Sequence, residues 1–431
     1  MIKLSSLNDF RFLLALVIFI LISILIYRRA INIEPFQNSS EYKNDTVYQN
    51  QVKLLSDKYD SMANSKRPVT ELLSNNNDMP TVQQCFVNFY SLGCLYTGYI
   101  GPMDEGYWDP DVAVQMAVKA GCRTFILEID YMNDCTGETL KYFPRIVVRD
   151  AQGKLRINIR SNRPKCNSPQ HSNIRDVCEK INYYAFADSC QNKTDPVVIV
   201  LYFLRQPPGS YKSKMVLDYF SNVAKSLSPF NDRLLKNELE GGTYYRQSQE
   251  GRLLINNIKN YNGKVLIFSN ANTSGFREAQ VYSPHEDLDF LTNLRLTYTQ
   301  TKLGITETGT TAPFGILETA EDYTIIPVDR EEEIADATKL RWTLCLSQDP
   351  SKPVTKDIYN KITSTFGVHC VPIILFDTTN NFMYTDTTFN KYSFIPKPKA
   401  LRYIKPPVVT PAEPNPSTNA NQGILRSPIV P

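Results

Sequence analysis

The sequence predicts an α/β fold, a (β/α) barrel of TIM type preceded by one transmembrane helix, and three observations carry that expectation. Long apolar runs recur along the chain: RTFILEID (123–130), PVVIVLYFL (196–204) and GKVLIFSN (263–270). Segments with helical periodicity separate them. A charge-free run, Phe12–Tyr27, precedes them all. Strands that are apolar on both faces and joined by helices belong to parallel sheets. Repeated at this frequency, they favour a closed barrel over a sandwich.

The elements follow in order. Phe12–Tyr27 is bracketed by Arg11 and by Arg28–Arg29. At about 1.5 Å per residue it spans roughly 24 Å, and the arginines extend that reach by snorkelling. A cleaved signal peptide is the rival reading, but two arginines stand where small residues would mark the cleavage site. Lys3 and Arg11 on one side nearly balance Arg28 and Arg29 on the other, which leaves the orientation open. Residues 1–32 are therefore read as a single-pass membrane anchor. Residues 33–80, rich in Asn and Ser, read as a polar stalk with room for one short helix. Residues 81–404 have the length of one domain, and the Pro-rich segment 405–431 reads as a disordered tail.

Inside the domain, CFVNFYS (85–91) reads as a strand. VAVQMAVKAG (112–121) reads as a helix closed by Gly121 as its C-cap. Ile174, Val177, Cys178, Ile181 and Tyr184 recur at helical spacing, as do Val216, Leu217, Phe220, Val223, Ala224 and Leu227. TIIPV and VHCVPIILF supply later strand-like runs. An open doubly wound sheet is the alternative; no Gly-rich nucleotide fingerprint follows the first strand, which weighs against it.

Basic and acidic residues are interspersed at a net charge of +3, without a basic stripe, so no nucleic-acid partner is expected. The nine cysteines show no zinc spacing. Cys122, Cys178, Cys345 and Cys370 fall in apolar runs and read as buried thiols, whereas Cys135, Cys166 and Cys190 lie in polar loops and could pair in an oxidising space.

The order of these motifs resembles the X region of phosphoinositide-specific phospholipases C. SLGCLYTG (91–98), PDVAVQMAVKAGCR and FILEID are similar to that region's S-H-N-T-Y-L-x-G, helix, G-C-R and E-L-D strand. VCEKINYYAFADS with DPVVIVLYFL resembles its helix ending Y-A-F and the strand P-V-I-L-S-L-E, and YNGKVLIFSN resembles L-K-G-K-I-L-I-K. TFGVHCVPIILF through KPKALR resembles the Y region. The likeness covers 81–275 as X-like and 360–404 as Y-like, with 276–359 unassigned, and implies a PLC-like phosphodiesterase barrel.

The family's chemistry uses two histidines as acid and base, a calcium ion held by an Asn and acidic strand-end residues, and lysines that grip phosphate. The resemblance puts Leu92 at the first histidine and Gly93 at the calcium-binding Asn, and neither side chain can do that work. The three histidines are His171, His285 and His369. His171 is a weak candidate for the second catalytic position, in a polar loop about seven residues too close to the following helix by the family's spacing. Glu128 and Asp130 lie two apart on one strand face, which the resemblance implies is the remnant of a calcium pair; an acidic strand end hydrogen-bonded to loops is the equal alternative. Counting from G-C-R, however, Glu128 falls on the family's Asp and Ile126 on its Glu. Arg123 matches the G-C-R arginine, Tyr202 takes the last acidic ligand position, and Phe268 and Asn270 take the lysine positions.

Three functions follow. The first is a membrane-anchored pseudoenzyme whose mouth binds a lipid headgroup or a protein partner. The second is an active calcium-dependent phosphoric diester hydrolase using His171 with Glu128 and Asp130. The third is a structural membrane or envelope protein. Low Gly, abundant Asn and Ile, and a lone barrel without accessory domains are similar in style to proteins of large DNA viruses, which would place the anchor in a viral or host-derived membrane.

Overall fold

The computed structural model describes residues 43–405 apart from 63–64, 103–105, 132–140, 150–154, 157–172, 211, 236–246, 248–251, 272, 274–287, 299–314, 348–353 and 378–386. The anchor run Phe12–Tyr27, the tail beyond 405, His171, His285, Cys135 and Cys166 lie outside the described residues. Among the described residues no helix is long and apolar enough to cross a membrane.

Among the described residues, eight strands form the barrel: β1 Gly93–Leu95, β2 Thr124–Asp130, β3 Val197–Phe203, β4 Val265–Ser269, β5 Leu294–Tyr298, β6 Gly315–Thr319, β7 Trp342–Leu346 and β8 Ile373–Ile374. Their spatial order is β7-β6-β5-β4-β3-β2-β1-β8, and every neighbouring pair is parallel. A parallel bridge between Leu344 and Cys370, with Cys345 N–H donating to Cys370 O at 2.9 Å, joins the β8 segment back to β7. That closure excludes the open doubly wound alternative. It also hides both edges, which an open sheet would leave unpaired.

The continuous apolar runs are buried from end to end: β2, β4, β6 and β7 present no exposed residue, and in β3 only Tyr202 is partly open. Phe268 on β4 and Trp342 on β7 meet across the interior at 4.8 Å between ring centroids, with Phe86 beneath at 6.4 Å from Phe268. Helices α1 Thr46–Tyr59, α2 Val69–Asn75, α3 Pro110–Ala120, α4 Asn173–Ala185, α5 Lys214–Ser226, α6 Ala320–Thr324 and α7 Glu331–Leu340 accompany the strands. α3 starts on Asp109, whose carboxylate caps the Asp111 and Val112 amides, and ends at Gly121 in the left-handed region (φ 98°), the C-cap expected from sequence.

Three sequence expectations change. The stretch 85–91 is not a barrel strand: Phe86–Asn88 forms a 3-10 turn, and Phe89–Ser91 pairs antiparallel with Phe394–Pro396 outside the barrel. TIIPV is the end of α6 and the turn after it, because the capping box at Thr319–Asp322 starts a helix just before the run that was read as strand-like. Residues 46–75, read as stalk, pack on the barrel. Tyr48, Leu55 and Tyr59 are buried, and the Tyr59 hydroxyl donates to Leu375 O at 2.9 Å.

Glu318 sits on the helix-facing side of β6, only 2% exposed, beside the Asp322 carboxyl. Burial, reinforced by the neighbouring Asp322, lifts its carboxyl to about 9 from an ordinary 4.5. The fold thus keeps a proton that the unfolded chain releases above 4.5, so stability falls as pH rises between those values. Glu318→Gln is expected to be more stable than wild type by roughly 3 kcal/mol at pH 7, with the gap closing toward pH 5. Denaturation midpoints of both proteins across pH 5–8 test it, and a constant gap refutes it.

Candidate binding site at the C-terminal mouth of the barrel

In a parallel barrel, function gathers where the strands end, because the βα connections there are free to vary. Glu128 and Asp130 stand at the end of β2 with side chains on the same, inward face, and each is 1% exposed. Tyr202 is in register with Glu128 on β3. Arg205 follows two residues after β3 and reaches back: its Nε–H donates to both oxygens of Asp130, at 2.9 and 3.0 Å, and Nη2 to Tyr131 O at 3.0 Å. Its guanidinium lies 4.3 Å over the Tyr131 ring. The Tyr131 amide gives Asp130 Oδ1 another bond at 2.6 Å. Burial outweighs these donors and holds the Asp130 carboxyl above its usual range, while the Tyr131 amide and Arg205 pull it back. Tyr142 packs edge-on against Tyr131 at 4.9 Å.

The other predicted site residues part company with this mouth. Leu92 and Gly93 lie where β1 begins, with Gly93 opposite Thr124, the first residue of β2. They sit at the far end of the barrel from Glu128 and Asp130. Gly93 is there for packing, since a Cβ would stand 2.5 Å from Cys370 Sγ. Arg123, just before β2, is also at that end and fully buried. It donates to Ala185 O at 2.8 Å, to Asn192 O and Oδ1 at 2.6 and 2.8 Å, and to Cys190 Sγ at 3.1 Å. Cys190 is a free thiol in this arrangement, and Cys135 and Cys166, with which it could pair in an oxidising space, lie outside the described residues.

Phe268 is barrel core, not a ligand contact. Asn270 does reach the mouth, but its amide is occupied by backbone: Phe203 N–H donates to Oδ1 at 2.7 Å and Nδ2 donates to Phe203 O at 2.9 Å. His369 is buried at the closed end, its ring bonded to Thr343 and to Val87 O, and burial keeps it neutral by pushing its pKa well down.

Among the described residues, those at the mouth do not fit a calcium ion. A hard dication needs six or more oxygens, and both Asp130 oxygens already accept N–H donors. Among the described residues no group of three or more His, Cys, Asp or Glu is placed to hold a metal. Sequence reasoning missed Arg205 and Tyr131. The available signal was that Arg205 is the first charge after the apolar run of β3, as Asp130 is the last residue of β2.

No protein-family model matches the sequence, and no curated protein matches it. Among solved structures the chain is similar to L. pealei PLC21, at 12% identity and a TM-score of 0.47, over 75% of this chain and 38% of that one. It is similar to S. officinalis PLC21 at 12% identity and 0.48, over 76% and 39%. It is also similar to a calcium-dependent phosphoinositol-specific phospholipase C from a Gram-negative bacterium, Pseudomonas sp, at 11% and 0.44, over 74% and 97%. The chain thus spans 38% and 39% of the length of the two PLC21 structures, against nearly all of the bacterial one.

Proposed function

We propose that this protein is a membrane-anchored barrel of the phospholipase C type that binds a lipid headgroup at its C-terminal mouth without hydrolysing it. One observation supports the reading above others: the polar side chains at the mouth are bonded to the protein itself. Asp130 is held by Arg205 and Tyr131, and Asn270 by the Phe203 backbone. A general acid or base must be within reach of substrate and able to exchange its proton, which these arrangements oppose. A protein partner is the second reading, favoured by the Tyr131–Tyr142–Arg205 cluster, since aromatic residues and Arg are enriched in protein interfaces.

The test uses the full chain in detergent micelles. Phosphatidylinositol with calcium should yield no inositol phosphate, while glycerophosphoinositol should bind, and Tyr131→Ala should weaken that binding about tenfold or more. Turnover that disappears in Asp130→Asn would reinstate the enzyme. Absence of glycerophosphoinositol binding would favour the protein partner.

A further inference from the structure

α1, which the sequence presents as stalk, stands at the seam where the last strand meets the first. It lies beside α3, the helix after β1, and Asp60 following its last turn pairs with Lys119 of α3 at 2.7 Å. Tyr59 reaches Leu375, the residue after β8. The two halves of α1 are held differently. In the far half Leu55 and Tyr59 are fully buried. In the first turn Thr46, Val47 and Gln49 are exposed, while Tyr48 is buried and its hydroxyl donates to Asp109 Oδ2 at 2.7 Å. Asp45, the N-cap, accepts the Tyr107 hydroxyl at 2.5 Å, and the Tyr48 and Tyr107 rings meet edge-on at 5.4 Å.

Tyr107 and Asp109 belong to the connection from β1 to α3, a βα connection and so part of the mouth rim. Residues 98–101 and 106–109 of that connection form a short antiparallel ladder. Ile100 N–H donates to Tyr107 O at 3.0 Å, Tyr107 N–H to Gly101 O at 3.1 Å and Asp109 N–H to Gly98 O at 3.0 Å. A two-stranded ladder is marginal by itself in water, so it depends on what flanks it. α1 flanks it at Tyr107 and Asp109, and Phe376, just beyond β8, packs on Tyr99 at 5.4 Å between ring centroids. Asp109 serves two helices at once, since its Oδ1 caps α3 and its Oδ2 accepts the Tyr48 hydroxyl.

We propose that the first turn of α1 is a clamp on the mouth: wound, it holds the β1–α3 ladder at the rim, and unwound, it lets the ladder loosen while the barrel stays folded. A gradient of local stability makes this possible. Helix ends open at far lower free energy than packed cores, and this end is tied to the rim by its own N-cap and Tyr48. The deeply buried far half keeps α1 seated when the first turn opens. Whatever engages the chain before Lys43 thus acts on the rim through Asp45 and Tyr48, without touching the rim itself. The clamp requires neither a particular ligand at the mouth nor a membrane around residues 1–32.

The test is hydrogen exchange, read by mass spectrometry on the full chain in detergent micelles, for two double variants against wild type. Tyr48→Phe with Tyr107→Phe removes both hydroxyls and keeps both rings. Thr46→Gly with Val47→Gly weakens the first turn through helix propensity at two exposed positions. Exchange of the ladder amides in 98–101 and 106–109 is expected to quicken about tenfold or more in the first variant. In the second it should quicken about threefold, and in both the β3 amides should keep their wild-type rates. Unchanged ladder exchange in the glycine variant overturns the clamp, because winding of α1 is then not felt at the rim. A ladder that responds to the glycines but not to loss of the hydroxyls overturns the roles of Tyr48 and Tyr107. Exchange that quickens equally in β3 overturns it as well, since the clamp then cannot release without unfolding the barrel.

Discussion

Arg123→Met is expected to lower the unfolding free energy by about 3–5 kcal/mol. The guanidinium is fully buried at the closed end and gathers Ala185, Cys190 and Asn192 into one cluster. Removing it leaves the Ala185 and Asn192 carbonyls without this donor. It also strips Asp195 of the positive charge that opposes its burial, and that carboxyl already stands at about 6. Asp195 in turn holds the Val69 amide at 2.7 Å, so the loss reaches α2. Arg123→Lys should recover little, because one ammonium cannot reproduce a planar fork. Denaturant midpoints of the full chain decide the matter. A variant that keeps wild-type stability but loses ligand binding would return Arg123 to the binding role its sequence position suggested.

Phe268→Ala is expected to be equally damaging, at about 3–5 kcal/mol. Its ring is fully buried against Trp342 and Phe86, and truncation opens a cavity in the middle of the barrel where neighbouring strands cannot close it. Phe268→Leu should cost less than half as much. The informative partner is Phe268→Lys. At a phosphate-gripping position it would strengthen binding of an anionic headgroup, whereas in this interior it buries an ammonium and should prevent folding. Soluble expression and a thermal melt of the two variants separate these outcomes.

The barrel was legible because β2, β3 and β4 are apolar on both faces, β2 and β3 over seven residues and β4 over five, so each announces a buried parallel strand regardless of register. β5, β6 and β7 were not. They have five residues each, and LRLTY and GILET mix polar with apolar side chains below the length at which a period shows. α1 was hidden for a related reason: only Tyr48, Leu55 and Tyr59 of its fourteen residues are buried, a stripe too thin to distinguish from a polar stalk. The candidate site was hard to read for a different reason. β1 has three residues, so a slip of a few positions moved Leu92 and Gly93 from one end of the barrel to the other. Arg205 depends on a partner 75 residues away, and no local pattern reports a contact closed by the fold.

If the mouth binds a ligand as proposed, the Asp130–Arg205 pair also shapes how that ligand arrives. A lone carboxylate at the mouth would project a monopole that attracts cations and repels phosphates over a Debye length, roughly 8 Å at physiological ionic strength. Matched by a guanidinium at 2.9 Å, it projects only a dipole, whose field fades faster with distance. This pair therefore gives charged molecules no long-range steering, and the encounter rate it permits should be nearly insensitive to added salt. Under that proposal, discrimination would be deferred to contact, where the shape of the aromatic rim acts and distant charge does not.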